Sequence, residues 1–543
     1  MKPRILISSE FSQLSTGFSI YSRNILERLY RKYDVMEFAS YGASDDPRMG
    51  NVPWKVFPTY LTKDASQEEQ HKFHSVASNQ FGEHKFEEVC LRFKQHVTID
   101  IRDTWMWEYQ SRSPFRPCFY HMVMPTCDAY PQAEQWIVLM ADLDATFTYQ
   151  DWSLKILKEQ SGGKINLVGS ASPCADPIFR PIENRNDIKK QLGFSEYTIL
   201  GTVMRNQRRK LFPQLFRDFR RFLNETKRND ILLYCHTSYP DAGWDIPKLL
   251  LEHGLSTKIL FTYVCQNCKQ SFPAFFNDAL MVCSNCHSRM CHLINVQEGV
   301  EDEILCRIYN MFDWYIQYSN SEGFGLPMVE STACGTPVLA VDYSAMSDVV
   351  RKLGGFPIKV ERLDIEIETG CYRATPNSDH FISLLKHLTT LSSSYYNDLR
   401  LKTRENYEKN YNWDTTAQKW ADQIDQIDLD HYEKAWRQPP RILQPSDQIP
   451  QGVSNRQFAR WLITDVLREP ERLGTYIEAR LIRDLNYGFV TQVAGGMYFN
   501  ELSAMSNKPN YREFNRQQAY DHMVSLCNRR NYWENERMKS LQK

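Results

Sequence analysis

The chain has 543 residues, 42% of them hydrophobic and 24% charged, with a formal net charge of −1. That length exceeds what one hydrophobic core organises and predicts two or three domains, while the balanced charge excludes a global field drawing the chain to nucleic acid or anionic membrane. No apolar run approaches a membrane span, and the first, Ile5-Leu6-Ile7, is too short for a signal-peptide core, so a cytoplasmic protein without membrane insertion is expected. Of the 14 cysteines, four sit at metal-ligand spacing and the rest are scattered, which favours a reducing compartment over a disulfide framework.

Arg4 to Ser8 reads as a first strand. Glu10 to Gly17 follows as a Ser/Thr/Gly loop, and Phe18 to Lys32 has helical spacing, with Tyr21, Ile25 and Leu29 on one stripe. Strand, small-residue loop and helix make the first turn of a nucleotide-binding type of α/β fold. There Gly17 is either a turn glycine or a point of close ligand approach. Residues 34–120 alternate short strand-like and polar helical pieces, and the charged, histidine-rich stretch Asp64 to Lys94 reads as a solvated helical face. The prolines of Ser172 to Pro181 suit a linker that fixes the chain path without a helix.

A second strand, Ile199 to Met204, leads into the basic run Arg205-Asn206-Gln207-Arg208-Arg209-Lys210 and a helix from Leu211 to Asn224. Cations between a strand and a helix start suit a diphosphate, through helix N–H groups, a guanidinium fork and an ammonium point charge. The competing reading is an exposed basic loop. Cys265-x-x-Cys268 and Cys283-x-x-Cys286 follow, fourteen residues apart. Two such knuckles give four thiolates for tetrahedral, structural zinc. His287, Cys291 and His292 lie close enough for one of them to replace a knuckle cysteine. A redox role needs one motif at a helix start.

Trp314 to Tyr318 is suited to a buried strand, and the loop after it carries Glu322, Gly323 and Gly325. Leu326-Pro327 opens a helix, Gly335 closes it, and Pro337 to Val341 is the next strand. Loops at the carboxyl ends of parallel strands bind ligands, and a helix start suits a phosphate. Glu322 and Glu330, eight residues apart, can face one cleft, where carboxylates accept pairs of sugar hydroxyls. Beyond this, Gln438 to Gly452 is a Pro/Gln/Ser linker. The tail from Val453 is helical in pattern, broken near Gly495-Gly496. From Asn507 to Lys543 it carries eight Lys/Arg, among them Lys508, Arg529, Arg530, Arg537, Lys539 and Lys543, against four acids. Aromatics interleave with them, which suits either a nucleic-acid strand or a helix packing its rings on the core.

The string E-G-F-G-L-P-x-x-E followed by A-C-G-x-P-V resembles the E-x7-E segment of retaining GT-B glycosyltransferases, in particular glycosyltransferase family 4. The resemblance runs from about residue 4 to about residue 430. Ser172 to Pro181 is similar to the family's domain crossing and Tyr411 to Ala417 to the start of its closing helix. The implied fold class is α/β, GT-B, with two facing Rossmann-like domains: an acceptor domain at 1–175 and a nucleotide-sugar donor domain at 176–430. A zinc-ribbon insertion at 263–293 and a mainly helical C-terminal extension at 453–543 are added.

The resemblance implies that Glu322 lies beside the donor sugar, with Gly323, Phe324 and Gly325, and that Glu330 holds the ribose. Arg205 and Lys210 keep the five-residue step of the family's G-R-x-x-x-x-K-G and, with the helix start at Leu326, would neutralise the leaving diphosphate of a UDP- or GDP-type donor. Gly201 is displaced from its usual place beside the arginine, and Leu211 replaces the glycine after the lysine. Gly17 would approach donor phosphates and acceptor. Phe119 to Pro131 resembles a strand end at the cleft floor, where His121 or Asp128 touches the sugar or orients the acceptor; His121 equally reads as a buried structural histidine. No catalytic metal is expected, because the cations do that work. The expected function is a retaining sugar transfer. The ribbon and basic tail favour a nucleic-acid acceptor, such as a flipped-out hydroxylated DNA base. The alternatives are a protein or saccharide acceptor, or a non-catalytic nucleotide-sugar-binding protein.

Overall fold

A computed structural model describes residues 2–277, 281–295, 299–445, 448–491 and 511–542. Gly495-Gly496, Lys508 and Lys543 of the tail lie outside the described residues. Two parallel sheets dominate. The first is built from β1 (Arg4–Glu10), β2 (Asp34–Ala43), β3 (Lys55–Tyr60), β4 (Val97–Asp100), β5 (Tyr120–Val123), β6 (Ala145–Thr148) and β7 (Leu167–Ser170), in the order β3-β2-β1-β4-β5-β6-β7. Its inner strands are covered on both faces, so they are apolar almost throughout: Ile5, Leu6 and Ile7 are all fully buried. The strand order reverses between β1 and β4, the place where such sheets open a crevice.

The second sheet contains β8 (Thr198–Val203), β9 (Ile231–His236), β10 (Ile259–Cys265), β11 (Ser271–Phe275), β12 (Cys291–Leu293), β13 (Trp314–Gln317), β14 (Val338–Val341) and β15 (Phe356–Ile358). The order is β11-β10-β9-β8-β13-β14-β15, with β12 also on β10. Here the reversal falls between β8 and β13, so the basic loop after β8 faces the Glu322 loop after β13. Gly201, in β8, is a packing glycine: a Cβ there would lie 2.1 Å from the Phe312 ring. The helix Phe212–Thr226 buries Phe212, Leu215, Phe216, Phe219 and Leu223, the stripe its spacing predicts.

The knuckles sit where β10 outgrows the sheet. Its last residues, Tyr263 to Cys265, run between β11 and β12, both antiparallel to it. The chain then crosses back. Helix Trp413–Asp425, numbered with the donor domain, packs on the first one: Trp413 meets Tyr21 edge-on at 5.4 Å, and Trp420 Nε1 donates to the Tyr21 hydroxyl at 2.9 Å.

Helix Leu429–Arg437 and the long helix Arg516–Gln542 also lie on the first domain. Trp533 stands 6.4 Å from Phe115, and Arg537, 3% exposed, donates to the carbonyls of Ala435 and Trp436. Arg529 pairs with Glu87, Arg530 with Glu469 and Lys539 with Glu536. Of the two readings of the tail, these contacts match the packed helix. Among the described residues no helix is long and apolar enough to cross a membrane.

Candidate active site

The backbone locks the two loops of the second domain together before any side chain is considered. Leu211 N donates to Tyr318 O at 3.1 Å, and Asn320 N donates to Arg209 O at 2.9 Å. This seats the Lys210 ammonium on the Glu322 carboxylate. Both side chains are nearly sealed, at 6% and 5% exposure. Gln317 Nε2 and Ser319 Oγ each donate to the same Glu322 oxygen at 2.7 Å. Burial works to raise the Glu322 carboxyl, but the Lys210 and Arg209 cations and these donors hold it below the usual range. Burial lowers Lys210, with Glu322 opposing. Ser344 clamps the loop from behind: its Oγ accepts from Glu322 N at 2.9 Å and donates to Glu322 O at 3.2 Å. Ser344 has φ 51, a left-handed backbone that persists only where the surroundings enforce it.

Arg205 and Arg209, both on the loop after β8, have different partners. Arg205 is half-exposed and forked onto Asp241, at 2.8 and 3.0 Å, away from the Glu322 carboxylate. Arg209, 40% exposed, brings its Nε to 3.8 Å from Glu322 Oε2. Spacing singled out Arg205 because the motif counts five residues back from Lys210. Asp241, on the loop after β9, is the partner that the spacing does not reveal.

Gly325 caps helix Leu326–Ala333 with φ +88, and a Cβ there would lie 2.5 Å from Met328 Cε. At Gly323 a Cβ would lie 2.4 Å from Thr126 Cγ2, so glycine is what lets the two domains touch here. Phe324 is buried between Tyr149 and Tyr411, with ring centroids 6.5 and 6.1 Å away. Glu330, on the same helix, accepts from the Tyr309 hydroxyl at 2.7 Å. Burial, with Asp302 and Asp176 nearby, pushes its carboxyl up to about 7.

In the first domain Gly17 opens helix Gly17–Leu29 behind the cap Thr16, facing open space: a Cβ there would meet no atom within 4 Å. His121 is fully buried, with Nε2 3.0 Å from Asp100 Oδ2 and the rings of Trp107 and Phe119 against it. Having no exposed surface, it does not line the cleft floor; the cleft expectation for His121 is corrected to a core role. Asp128 does stand at the domain boundary. Arg373, from the hairpin Val360–Ile365 and Tyr372–Pro376, donates to Asp128 Oδ2 at 2.9 Å and to Ser321 Oγ.

Asp103, three residues beyond β4, escaped the sequence motifs. Burial lifts its carboxyl to about 6, with Asp128 and Glu10 also raising it and Thr126 and Arg209 opposing. The strand-order reversal beside β4 is the signal that marks it.

The four knuckle cysteines gather with all Sγ atoms within 4.8 Å of one another. Cys265–Cys286 and Cys268–Cys283 are 3.6 Å apart, close to the ~3.8 Å edge of a tetrahedron with ~2.3 Å Zn–S bonds. Lys269 and His287, each following a second knuckle cysteine, take φ 60 and 55. Their N–H groups return to Cys265 O at 2.9 Å and Cys283 O at 3.0 Å. The donor set fits zinc. Neither knuckle opens a helix, so the redox reading lacks its requirement.

Residues 291–366, which include Glu322 and Glu330, match the family model described as glycosyl transferases group 1. A 116-residue stretch is 28% identical to ORF315 of Acidianus bottle-shaped virus, a protein named as a glycosyltransferase, and covers 21% of this chain and 36% of that relative. The fold is similar to sucrose-phosphate synthase from Thermosynechococcus elongatus (TM-score 0.57, 16% identity, 78% of this chain and 99% of that one). It is also similar to Anabaena HepE in complex with UDP (TM-score 0.53, 12% identity, 79% and 100%). The chain is thus a two-domain α/β protein of the GT-B glycosyltransferase fold, carrying a glycosyl transferases group 1 segment in its second domain.

Proposed function

We propose that the protein transfers a sugar from a nucleoside-diphosphate donor of UDP or GDP type to an acceptor hydroxyl, with retention of anomeric configuration. The acceptor oxygen bonds to the anomeric carbon on the face from which the diphosphate leaves. The carbon–oxygen bond to phosphate breaks, and the acceptor proton passes to the departing phosphate oxygen. Lys210, Arg209 and the helix start at Leu326 stabilise charge on the diphosphate, the interaction worth most in such a barrier. Glu322 and the backbone of 323–325 hold the sugar, and Glu330 takes the ribose hydroxyls. Thr126, lying over Gly323, closes the cleft against water.

The observation that carries this reading is the buried Lys210–Glu322 pair at the strand-order reversal of the second sheet. HepE, whose fold is similar, is in complex with UDP, which supports a UDP-type donor in this reading. We read the knuckles as a structural zinc site; metal analysis is expected to find about one zinc per chain, and a zinc-free, folded, fully active preparation would contradict that. The hydroxylated-base acceptor drew on the ribbon and the basic tail; among the described residues of that tail Arg529, Arg530, Arg537 and Lys539 pair with carboxylates of the chain, which weakens the tail's part in it.

The test is incubation with UDP- and GDP-sugars, with and without saccharide, protein and DNA acceptors, followed by assay of released nucleoside diphosphate. Release from one donor class is expected, and NMR of the product should show the donor's anomeric configuration. No release from any donor under any condition overturns the transferase reading.

A further inference from the structure

Outside the cleft the first domain carries a groove of about 580 Å³, within the ~300–1,000 Å³ range of small-molecule sites. It lies beyond the carboxyl ends of β2 and β3, at the same end of the parallel sheet as the Gly17 loop and outward from β1. Tyr41 and Tyr60 line it, with ring centroids 6.0 Å apart and planes tilted by 50°. Phe73 supports Tyr60 edge-on at 5.1 Å. Tyr41 has φ 62, rare for a bulky side chain, and it lies within the register shift between Ala39 and Ala43 where β2 leaves its pairing with β3. Tyr41 is half-buried: one side of its ring meets Phe81 of the core edge-on at 6.2 Å, and it also lines the groove.

The rim is polar and electrically balanced. Asp45 and Asp46 face Arg48 and Lys63. Arg48 forks onto Asp46 and also donates to Gln13 O at 3.0 Å, tying the groove to the loop that ends at Gly17. A phosphate polymer needs a net positive track, and this surface has none. Paired aromatic rings with mixed donors and acceptors suit the apolar faces and hydroxyls of sugar rings.

We infer that this groove is a binding site for a neutral saccharide, the outer portion of an acceptor whose reacting hydroxyl reaches the Asp103 side of the cleft. The acceptor role rests on the transferase reading; the binding itself does not.

The test uses the full chain without donor, in saturation-transfer difference NMR. The probes are neutral tetrasaccharides of glucose, mannose, galactose and N-acetylglucosamine, alongside a ten-nucleotide single-stranded DNA. At least one tetrasaccharide is expected to show transfer that Tyr60→Ala reduces five-fold or more. If Tyr60→Ala melts early, Lys63→Ala, on the exposed rim, carries the test with a reduction of two-fold or more. Absence of transfer from every saccharide, transfer untouched by these variants, or binding of the DNA alone overturns the inference. Because no donor is present, a failed donor assay with intact saccharide binding sinks the transferase reading only.

Discussion

The two strand-order reversals of this molecule carry opposite charge. Between β8 and β13 the crevice presents Lys210 and Arg209, set around one ionised carboxylate, Glu322, by loops that hydrogen-bond to each other. Between β1 and β4 it presents Glu10 and Asp103, both raised by burial, with Asp128 alongside. A cationic half suits a departing diphosphate and a carboxylate half suits hydroxyl groups. In the proposed transfer this contrast puts the donor in the second domain and the acceptor over the first. In the cationic half the Glu322 loop is held by its backbone bonds and by Ser344, whose φ is 51.

Breaking the cationic half should have the largest effect. Lys210→Ala is expected to lower donor turnover by roughly 10²–10³-fold, as for loss of one transition-state donor, read by steady-state assay; a change under three-fold removes Lys210 from the diphosphate role.

Glu330 sharpens the comparison through pH. Its carboxyl is raised from 4.5 to about 7, so the folded state holds a proton that the unfolded chain releases. Stability from this group is therefore fully present below about 4.5 and is lost as pH rises through about 7. At about 1.4 kcal/mol per pKa unit, the loss approaches ~3 kcal/mol. Melting of Glu330→Gln should lose that part of the decline between pH 5 and 8, and an unchanged decline contradicts the assignment.

The arginines separate geometry from motif spacing. Arg209→Ala should reduce turnover about ten-fold, as for loss of a charge-assisted contact of ~1.5 kcal/mol. Arg205→Ala, which frees only Asp241, should cost under about two-fold by the same reasoning. The reverse order restores Arg205 to the phosphate.

Smallest is the contact between halves. Arg373→Ala removes the bond to Asp128 and is expected to cost roughly 1 kcal/mol of stability in chemical denaturation, with a few-fold rise in KM for the acceptor. An identical KM makes Arg373 merely structural.

The loops that bring Lys210 to Glu322 were legible because they are short contiguous strings. A loop, a helix start and their carboxylates all fall between Ser319 and Glu330, and the cations all fall between Arg205 and Lys210. The knuckles were legible for the same reason, since ligand spacing is local. What was hidden depends on partners distant in the chain. Arg205 and Arg209 are chemically alike, and only Asp241 tells them apart. His121 is flanked by residues that suit a cleft or a core, and only pairing of β4 with β5 supplies Asp100 as its partner. Asp103 follows a four-residue strand that polar neighbours obscure. Arg529 and Arg530 of the tail looked available in sequence, and only the fold brings Glu87 and Glu469 to them.

The central claim is that Lys210, Arg209 and Glu322 form a nucleoside-diphosphate site. Calorimetric titration of the full chain with UDP and with GDP, repeated on Lys210→Ala, tests it most directly. One of the two nucleotides is expected to bind the unaltered chain and to bind the variant at least ten-fold more weakly. Binding of neither nucleotide, or equal binding by both proteins, would contradict it.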